Sequence, residues 1–329
     1  MKRSIVGGVA LLAAVALVGC TDSGATTPVP TPSDDGASSA PMETYDVKIA
    51  ALPIAETGAI WAAVDAGIFE DHGINLEILP AQGGAQAIPA LVSGDIDFAI
   101  GQPFGPFRAA LAGEQVRILT NYANSLPTLP DVNSVVAGAS TGIKSWKDLS
   151  GKKVSVNSPN AAGDLTIRAA VANDGGDPNS IEFVVVAFPD APAQIEAGTI
   201  DAAWVPDPFR GMVVDAGGVD LGGPYQATIP GLTVLTCFTL QSVIDEQPEM
   251  VAQFTAALTE ALEYADANED AVRAAISKYM DIPEAGAAGI VLPDFTADLG
   301  TAHLEDLIDL ALEYGYFDTA PDLSTIVVQ

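Results

Sequence analysis

Three short polar stretches near the start of this chain carry groups that bind small molecules by hydrogen bonds. They are Glu56-Thr57-Gly58, Gln82-Gly83-Gly84 and Gly101-Gln102, and each follows an apolar stretch. Carboxylate and amide groups, together with the free backbone N–H groups at the start of a helix, recognise polar ligand atoms. No nucleophile–base pair and no cluster of metal-ligating residues accompanies them in the sequence. The residue types therefore predict a binding site, with no catalytic residue, no metal and no other cofactor.

An alternation of strand and helix patterns positions these stretches. Strands are predicted at 47–52, 75–79 and 98–101, and helices at 57–66 and 84–93 lie between them. Such alternation indicates a β-α-β-α-β unit with parallel strands. Ligands of parallel sheets bind beyond the carboxyl ends of the strands, which is where the three polar stretches lie. We therefore predict a binding crevice at this edge of the sheet.

The same pattern recurs about a hundred residues later in the chain. Gly94-Asp95-Ile96-Asp97-Phe98-Ala99 is matched by Gly198-Thr199-Ile200-Asp201-Ala202-Ala203, and in both a glycine ends a helix before a short strand. The match covers few positions, so chance is the alternative. A true repeat predicts an α/β protein with two lobes that face each other.

Further candidate binding residues follow the other predicted strands. The polar residues from Asn157 to Asp164 open a helix, so they either cap that helix or contact a ligand. Aromatic residues near strand ends belong either to the core or to the wall of the cleft. The candidates beyond the three opening stretches are Tyr122, Asn157, Ser158, Asn160, Ala161, Phe188, Asp190, Trp204 and Asp207.

Composition and charge limit the class of protein. The chain has 329 residues, enough for two domains with cores, and 49% of them are hydrophobic. There are 13 lysine and arginine residues against 43 aspartate and glutamate residues, which gives a net charge of −30. Because binding to phosphates needs a basic surface, nucleic acid is not predicted as a partner. Most of the carboxylates are expected to be solvated surface groups.

The first twenty residues have the pattern of an export signal. Two basic residues precede an apolar run that is too short for a convincing spanning helix. The run ends in Leu17-Val18-Gly19-Cys20, which resembles the lipobox of bacterial lipoproteins. That resemblance implies a signal peptide over 1–19 and a lipid on Cys20 that anchors the protein to the extracytoplasmic face of the cell membrane. An ordinary signal peptide is the alternative. Residues 20–44 are rich in Thr, Ser, Pro and Gly and are predicted to be a disordered tether.

The chain from 45 to 280 resembles the substrate-binding proteins of ABC importers in the nitrate, sulfonate, taurine and pyrimidine-precursor group. It is the order and spacing of several motifs, and no single one of them, that make the resemblance specific. They are Ala66-Gly67-Ile68-Phe69-Glu70-Asp71-His72-Gly73-Ile74, Leu76-Glu77, Gly83-Gly84, Leu91-Val92-Ser93-Gly94-Asp95-Ile96-Asp97-Phe98-Ala99, Asp148-Leu149-Ser150-Gly151-Lys152-Lys153-Val154, Ala197-Gly198-Thr199-Ile200-Asp201-Ala202-Ala203 and Asp207-Pro208-Phe209.

The resemblance implies a two-lobed periplasmic-binding-protein fold of the second type, in which each lobe is a mostly parallel sheet flanked by helices. Two hinge strands cross between the lobes; we place lobe I at 45–137 and 232–329, and lobe II at 138–231. The resemblance also implies a monomer that closes on a small polar organic solute and delivers it to an ABC permease with its ATPase. The solute would be a sulfonate, amino-sulfonate, nitrate-like or pyrimidine-precursor-like compound.

Two other functions remain as alternatives at the level of sequence. One is an enzyme of the pyrimidine-precursor synthase type, although the chain lacks the cysteine-rich motif of that branch. The other is a solute sensor that acts on a signalling partner. The resemblance itself implies no catalysis, so we predict that the protein is not an enzyme.

The charges near the predicted crevice favour one kind of ligand. Helix starts at Gly84 and Ala161 favour an electronegative ligand atom. Glu56, Asp190 and Asp207 repel a bare anion and favour an N–H donor. We therefore predict a ligand with both an acceptor end and a nitrogen donor, and neither bare nitrate nor bare sulfate.

Overall fold

The structure is a computed structural model that describes residues 43–81 and 83–328, and within them it contains two β-sheets flanked by helices. The strands are β1 (Tyr45–Ala51), β2 (Ile74–Pro80), β3 (Phe98–Gly101), β4 (Val116–Asn124), β5 (Asn133–Ala137), β6 (Lys153–Val156), β7 (Glu182–Val185), β8 (Ala202–Pro206), β9 (Val219–Asp220), β10 (Thr233–Leu240) and β11 (Asp294–Phe295). The helices are α1 (Gly58–Ala66), α2 (Ile68–Asp71), α3 (Gly84–Ser93), α4 (Phe104–Leu111), α5 (Ala162–Asn173), α6 (Ala191–Glu196), α7 (Phe209–Asp215), α8 (Pro224–Thr228), α9 (Gln241–Glu246), α10 (Pro248–Ala267), α11 (Glu269–Tyr279), α12 (Glu284–Ala287), α13 (Thr301–Glu313) and α14 (Leu323–Ile326).

The first sheet, with its helices, forms lobe I. Its strand order over the described residues is β11-β4-β10-β3-β1-β2. β1 runs parallel to both β2 and β3, which confirms the predicted β-α-β-α-β unit. β10 enters between β3 and β4 and is antiparallel to both. Helices cover the sheet, which is why β3, a continuous apolar run, and most of β10 are buried.

The second sheet forms lobe II and repeats this topology. Its order in the described part of the chain is β7-β6-β8-β5-β9. β6 is parallel to β7 and β8, while β5 is antiparallel to β8. The order β7-β6-β8-β5 therefore corresponds strand for strand to β2-β1-β3-β10 of lobe I. This correspondence confirms the predicted repeat of one α/β unit in two lobes.

The two matched six-residue stretches form equivalent turns in the two lobes. Gly94 and Gly198 adopt left-handed backbone conformations, with φ of 76° and 68°, and each ends a helix. Three residues later, the Asp97 carboxylate accepts a hydrogen bond of 2.8 Å from the backbone N–H of Lys48 in β1. The Asp201 carboxylate accepts one of 2.8 Å from the N–H of Lys153 in β6. In each lobe the aspartate thus joins the turn to the neighbouring strand by a hydrogen bond. This shared contact gives the match between the two six-residue sequences a structural cause.

The chain crosses between the lobes at 125–132 and at 221–232, and the two crossings lie side by side. The N–H of Ser125 donates to the carbonyl of Leu232 at 2.8 Å, and the N–H of Gln226 donates to Asp131 Oδ2 at 3.3 Å. Asp131, which is buried, accepts from the N–H of Leu126 and Val132. Because β5 pairs within the second sheet, we propose that lobe II begins before residue 133, in place of the predicted start at 138.

The C-terminal helices cover lobe I, as expected, but the last part of the chain also reaches lobe II. α10 and α11 pack on α1, and Phe254 of α10 stacks on Phe98 of β3 with ring centroids 3.9 Å apart. Gly58 permits this packing, since an added Cβ would lie 2.7 Å from Val272. α13 and the residues after it pack against α5 of lobe II. The segment 232–329, which we place in lobe I, therefore also contacts lobe II.

None of the helices in the described residues is both long enough and apolar enough to cross a membrane. The predictions of a signal peptide over 1–19 and of a lipid on Cys20, like most of the predicted tether over 20–44, lie outside the described residues.

Candidate functional site

A cavity of about 50 Å³ lies between the lobes, at the carboxyl ends of strands from both sheets. Strands β1, β3 and β6 each end at or next to its wall, as expected for a ligand site of parallel sheets. Most of the wall is apolar or aromatic. Its lining residues are Leu52, Ile54, Glu56, Gly83, Gly101, Gln102, Phe104, Gly105, Asn133, Asn157, Ser158, Ala161, Phe188, Trp204, Tyr225, Val234 and Leu235.

Glu56 is the carboxylate of this wall. It lies in a single 3₁₀ turn, Ala55–Thr57, directly after β1, and only 2% of its surface is exposed. One carboxylate oxygen, Oε1, accepts a hydrogen bond of 2.6 Å from Asn133 Nδ2 at the start of β5. This bond joins the end of the first strand of lobe I to the sheet of lobe II.

Burial raises the pKa of Glu56 from 4.5 to about 7. Removing a carboxylate from water disfavours its charged form, and the nearby carboxylates of Asp131 and Asp207 act in the same direction. The hydrogen bonds from a backbone N–H and from Asn133 oppose that increase only in part. Glu56 therefore changes charge near neutral pH unless a ligand compensates for its burial.

Four buried polar atoms of lining residues have no hydrogen-bond partner among the described residues. They are Glu56 Oε2, Asn133 Oδ1, Asn157 Oδ1 and Trp204 Nε1. The two amide oxygens accept hydrogen bonds, Glu56 Oε2 accepts one when the carboxylate is ionised, and the indole nitrogen donates one. Leaving a buried polar group unpaired costs about 1–3 kcal/mol, so a ligand that pairs with these atoms recovers part of that cost.

Gln102 connects the two lobes across one side of the cavity. Its side-chain Nε2 donates to the hydroxyl of Tyr225 at 3.1 Å, and its Oε1 accepts from the N–H of Ala162 at 3.2 Å. Trp204 packs edge to face against both Tyr225 and Phe188, with centroids 5.6 Å apart in each pair. Gly163 lies against the Trp204 ring, where an added Cβ would be 2.8 Å away. These contacts hold the aromatic part of the wall in one arrangement.

Outside the cavity, a second group of contacts joins the lobes at the start of α5. Arg108 of α4 donates from Nη2 to the carbonyl of Asn160 at 2.6 Å. Asp164 accepts from the N–H of Asn160 at 2.9 Å and from that of Ala161 at 2.7 Å, and it also accepts from the Tyr316 hydroxyl at 2.8 Å. Arg168 donates to the same hydroxyl at 3.2 Å. These residues hold the loop that carries Asn157 and Ser158 against lobe I.

The structure brings nine of the predicted binding residues to the cavity wall, and their contact with a ligand stays a prediction. They are Glu56, Gly83, Gly101, Gln102, Asn157, Ser158, Ala161, Phe188 and Trp204. Gln82 lies outside the described residues, and Gly84 is the first residue of α3.

The other predicted residues have structural partners away from the cavity wall. Thr57 donates to the carbonyls of Leu52 and Ile54 and so closes the turn that holds Glu56. Tyr122 is fully buried; it donates to the carbonyl of Thr57 at 2.8 Å and accepts from the N–H of Ile60. Asp207 pairs with Arg210 at 3.2 Å.

Three further predicted residues are also displaced from the cavity wall. Gly58 packs against α11, and Asn160 takes part in the contacts at the start of α5. Asp190 is exposed to solvent. Of the three carboxylates expected to approach the crevice, Glu56 alone is among the described lining residues.

Sequence reasoning missed two polar lining residues. Asn133 is the first residue of the buried strand β5, and a polar residue at a strand end is a signal that could have marked it. Tyr225 lies in the return crossing, where no local pattern marks it. The apolar lining residues that were not predicted as ligand contacts are Leu52, Ile54, Phe104, Gly105, Val234 and Leu235.

Two α/β lobes of the same topology, joined by two adjacent crossings around a cavity, define the class of periplasmic-binding-protein folds. The family model described as NMT1/THI5 like matches residues 55–272, so the chain belongs to this NMT1/THI5-like family. A related protein from Brucella abortus (strain 2308), named "Putative binding protein", is 24% identical to this chain over 226 residues, which cover 68% of this chain and 67% of that protein.

Solved structures share the fold at low sequence identity. The alkanesulfonate-binding protein SsuA from Xanthomonas axonopodis pv. citri, bound to MOPS, has a TM-score of 0.70 at 16% identity, covering 87% of this chain and 99% of that one. The periplasmic nitrate-binding protein NrtA from Synechocystis PCC 6803 has a TM-score of 0.72 at 15% identity, covering 87% and 86%. The desulfurization enzyme DSZB has a TM-score of 0.61 at 15% identity, covering 85% and 95%.

Proposed function

We propose that this protein is an extracytoplasmic solute-binding protein that is anchored by a lipid on Cys20 and delivers a small polar organic solute to an ABC importer. The observation that carries the proposal is the cavity between two similar lobes. Polar atoms of both lobes meet there, since Glu56 contacts Asn133 and Gln102 contacts Tyr225. A solute held in this cavity would stabilise the closed arrangement of the lobes.

Adjacent crossings support hinge closure as the mechanism. The segments 125–132 and 221–232 are hydrogen-bonded to each other, so a bend in both moves one lobe against the other without breaking either sheet. A closed, loaded receptor presents a surface to the permease that an open one does not. The family match, and the fold shared with an alkanesulfonate-binding protein and a periplasmic nitrate-binding protein, support this reading.

We also propose that the protein binds its solute without converting it. Cys237 is buried within β10, burial raises the pKa of its thiol, and it is not among the lining residues. A protonated, buried thiol is a poor nucleophile. Because an enzyme shares this fold, any compound that copurifies with the protein should be incubated with it and recovered unchanged.

Two measurements test the proposed function. Mass spectrometry of the denatured, freshly purified protein should release a small solute in near-equal molar amount. Cells that lack the gene should lose uptake of that solute, and the intact gene should restore it. Uptake that does not depend on the gene, or conversion of the solute by the purified protein, would contradict the proposal.

X-ray scattering tests the closure itself. The radius of gyration should fall when the released solute is added back to protein from which it has been removed. An unchanged radius of gyration with a tightly binding solute would exclude hinge closure, while leaving solute binding intact.

A further inference from the structure

We infer that the cavity selects a small solute that has an apolar body, presents N–H donors and carries no anionic group. This inference rests on the proposed function, because it assigns the chemical class of the solute that the importer receptor would take. Three features of the described wall residues support the inference independently. They are the unpaired acceptor atoms, the charges and the apolar surface.

The unpaired polar atoms of the wall are mainly acceptors. Glu56 Oε2, Asn133 Oδ1 and Asn157 Oδ1 come from three different elements, and each lacks a partner among the described residues. The side-chain nitrogen of Asn133 already donates to Glu56, which fixes its oxygen as the atom left to accept. An acceptor is satisfied by an N–H or O–H of a ligand and not by a carboxylate, nitrate or sulfonate oxygen. Trp204 Nε1 is the complementary donor and would pair with one acceptor atom of the same solute.

The charges around the cavity disfavour an anion. No lysine, arginine or histidine is among the described residues that line it. Glu56 is its charged group, and Asp131 and Asp207 lie close enough to affect the ionisation of Glu56. Arg210, the cation nearest to Asp207, is paired with Asp207 at 3.2 Å and with Asp220 at 3.7 Å. An anionic solute would therefore enter a negative site without a charged partner.

The rest of the wall suits an apolar body. Leu52, Ile54, Val234 and Leu235 line one part of the cavity, and the aromatic rings of Phe104, Phe188, Trp204 and Tyr225 line another. Such a surface binds carbon atoms by exclusion of water and leaves orientation to a few polar groups. A bare inorganic ion has no carbon atoms to bury against this surface.

The ionisation of Glu56 predicts how the binding of charged solutes changes with pH. The groups that face Glu56 are Asn133, Asp131, Asp207, Tyr225 and Tyr279, and burial raises the pKa of both tyrosine hydroxyls, so they stay neutral. Since the pKa of Glu56 is about 7, its carboxylate forms as the pH rises through neutrality. A cationic N–H donor should then bind more tightly at high pH, whereas an anion should bind more tightly at low pH.

Probes of one shape and three charges test this inference. Acetamidine, acetamide and acetate form one set, and benzamidine, benzamide, benzoate and benzenesulfonate form a larger one. Calorimetry and thermal unfolding should be recorded with each probe at about pH 5 and about pH 8, on full-length protein freed of copurified solute. We expect binding by the amidine or amide of at least one set, no binding by the acids, and tighter amidine binding at the higher pH.

Glu56→Gln provides the residue-level test, with Glu77→Gln as a matched control. Glu77 is exposed on β2, outside the cavity. Glu56→Gln should weaken amidine binding at least tenfold, about 1.4 kcal/mol, and abolish its dependence on pH. Glu77→Gln should leave both unchanged. The pH dependence of the wild-type protein keeps the inference testable if the Glu56 variant does not fold.

Three results from the probe panel would overturn the inference. They are tight binding of benzoate or benzenesulfonate, amidine binding that strengthens as the pH falls, and a panel in which no amidine or amide binds. None of them affects the proposed function, which is judged separately by the copurified solute and by gene-dependent uptake. A copurified anion would overturn the inference and support the function.

Discussion

The Tyr316 hydroxyl lies 2.8 Å from Asp164 Oδ2, and this hydrogen bond ties the C-terminal part of the chain to the first turn of α5. Asp164 also holds the N–H groups of Asn160 and Ala161, the latter a lining residue of the cavity. Phe317, next in sequence, packs on Phe104 of lobe I with centroids 5.3 Å apart. One short segment thus contacts both lobes beside the site.

Removing this hydroxyl should loosen the closed arrangement. In Tyr316→Phe, Asp164 keeps its two backbone donors and loses one hydrogen bond, worth about 1 kcal/mol. If the open arrangement lacks this contact, solute affinity should fall about fivefold while the solute specificity stays the same. Calorimetry with the copurified solute measures the change. Tyr314→Phe, two residues away, serves as the control, and equal affinities in both variants would show that the contact does not distinguish open from closed lobes.

The stability of the solute-free protein should fall as the pH rises from about 4.5 to about 7. The pKa of Glu56 is higher in the folded protein than its ordinary value of 4.5, so the folded state holds this proton more tightly than the unfolded state. Its stabilising contribution is complete below pH 4.5 and is lost as the pH passes 7. At about 1.36 kcal/mol for each pH unit in that window, the loss is of the order of 3 kcal/mol.

Urea unfolding of three proteins at about pH 5 and about pH 8 measures this effect. Glu56→Gln should reduce the difference between the two pH values, because an amide does not titrate. Asp131 and Asp164, whose pKa values burial also raises, should leave a smaller slope of the same sign. Glu77→Gln should behave as wild type. A Glu56 variant with the full wild-type slope would place the titrating group elsewhere.

Cys20→Ala should prevent lipidation, because the thioether to the lipid requires the cysteine sulfur, and should leave the protein either retained as the uncleaved precursor or shed. Metabolic labelling with a radioactive fatty acid and fractionation of cells measure both properties. Cys237→Ala is the control and should remain labelled and membrane-bound. A Cys20→Ala variant that still carries label would refute the lipobox interpretation.

Cys237 should resist alkylation in the folded protein. It is buried in β10, and burial raises the pKa of its thiol, so little thiolate forms and no reagent reaches it. Incubation with iodoacetamide at about pH 8, followed by mass spectrometry, should modify Cys237 only after denaturant is added. Rapid modification without denaturant would show that β10 opens readily.

Local patterns in the sequence determined the elements of the opening β-α-β-α-β unit and the repeat. Apolar runs bounded by glycine predicted β3 with its observed limits, and helical spacing predicted α3 with its observed limits and α1 to within one residue. Gly94 with Asp97, and Gly198 with Asp201, marked the two equivalent turns because the left-handed glycine and the capping carboxylate act within a few residues. The polar stretches at strand ends also located the crevice, since parallel strands place their carboxyl ends at one edge.

Only the tertiary structure decided which of those polar groups face the cavity. Glu56, Thr57 and Gly58 are consecutive, yet one lines the wall, one closes a turn and one packs on α11. Asn133 and Tyr225 meet Glu56 and Gln102 across 77 and 123 residues of chain, through crossings whose path no local pattern encodes. Strand periodicity tells which face of its own sheet a side chain occupies. What lies opposite depends on how the two lobes pack, and that is set by long-range contacts such as the hydrogen bond from Arg108 to the carbonyl of Asn160.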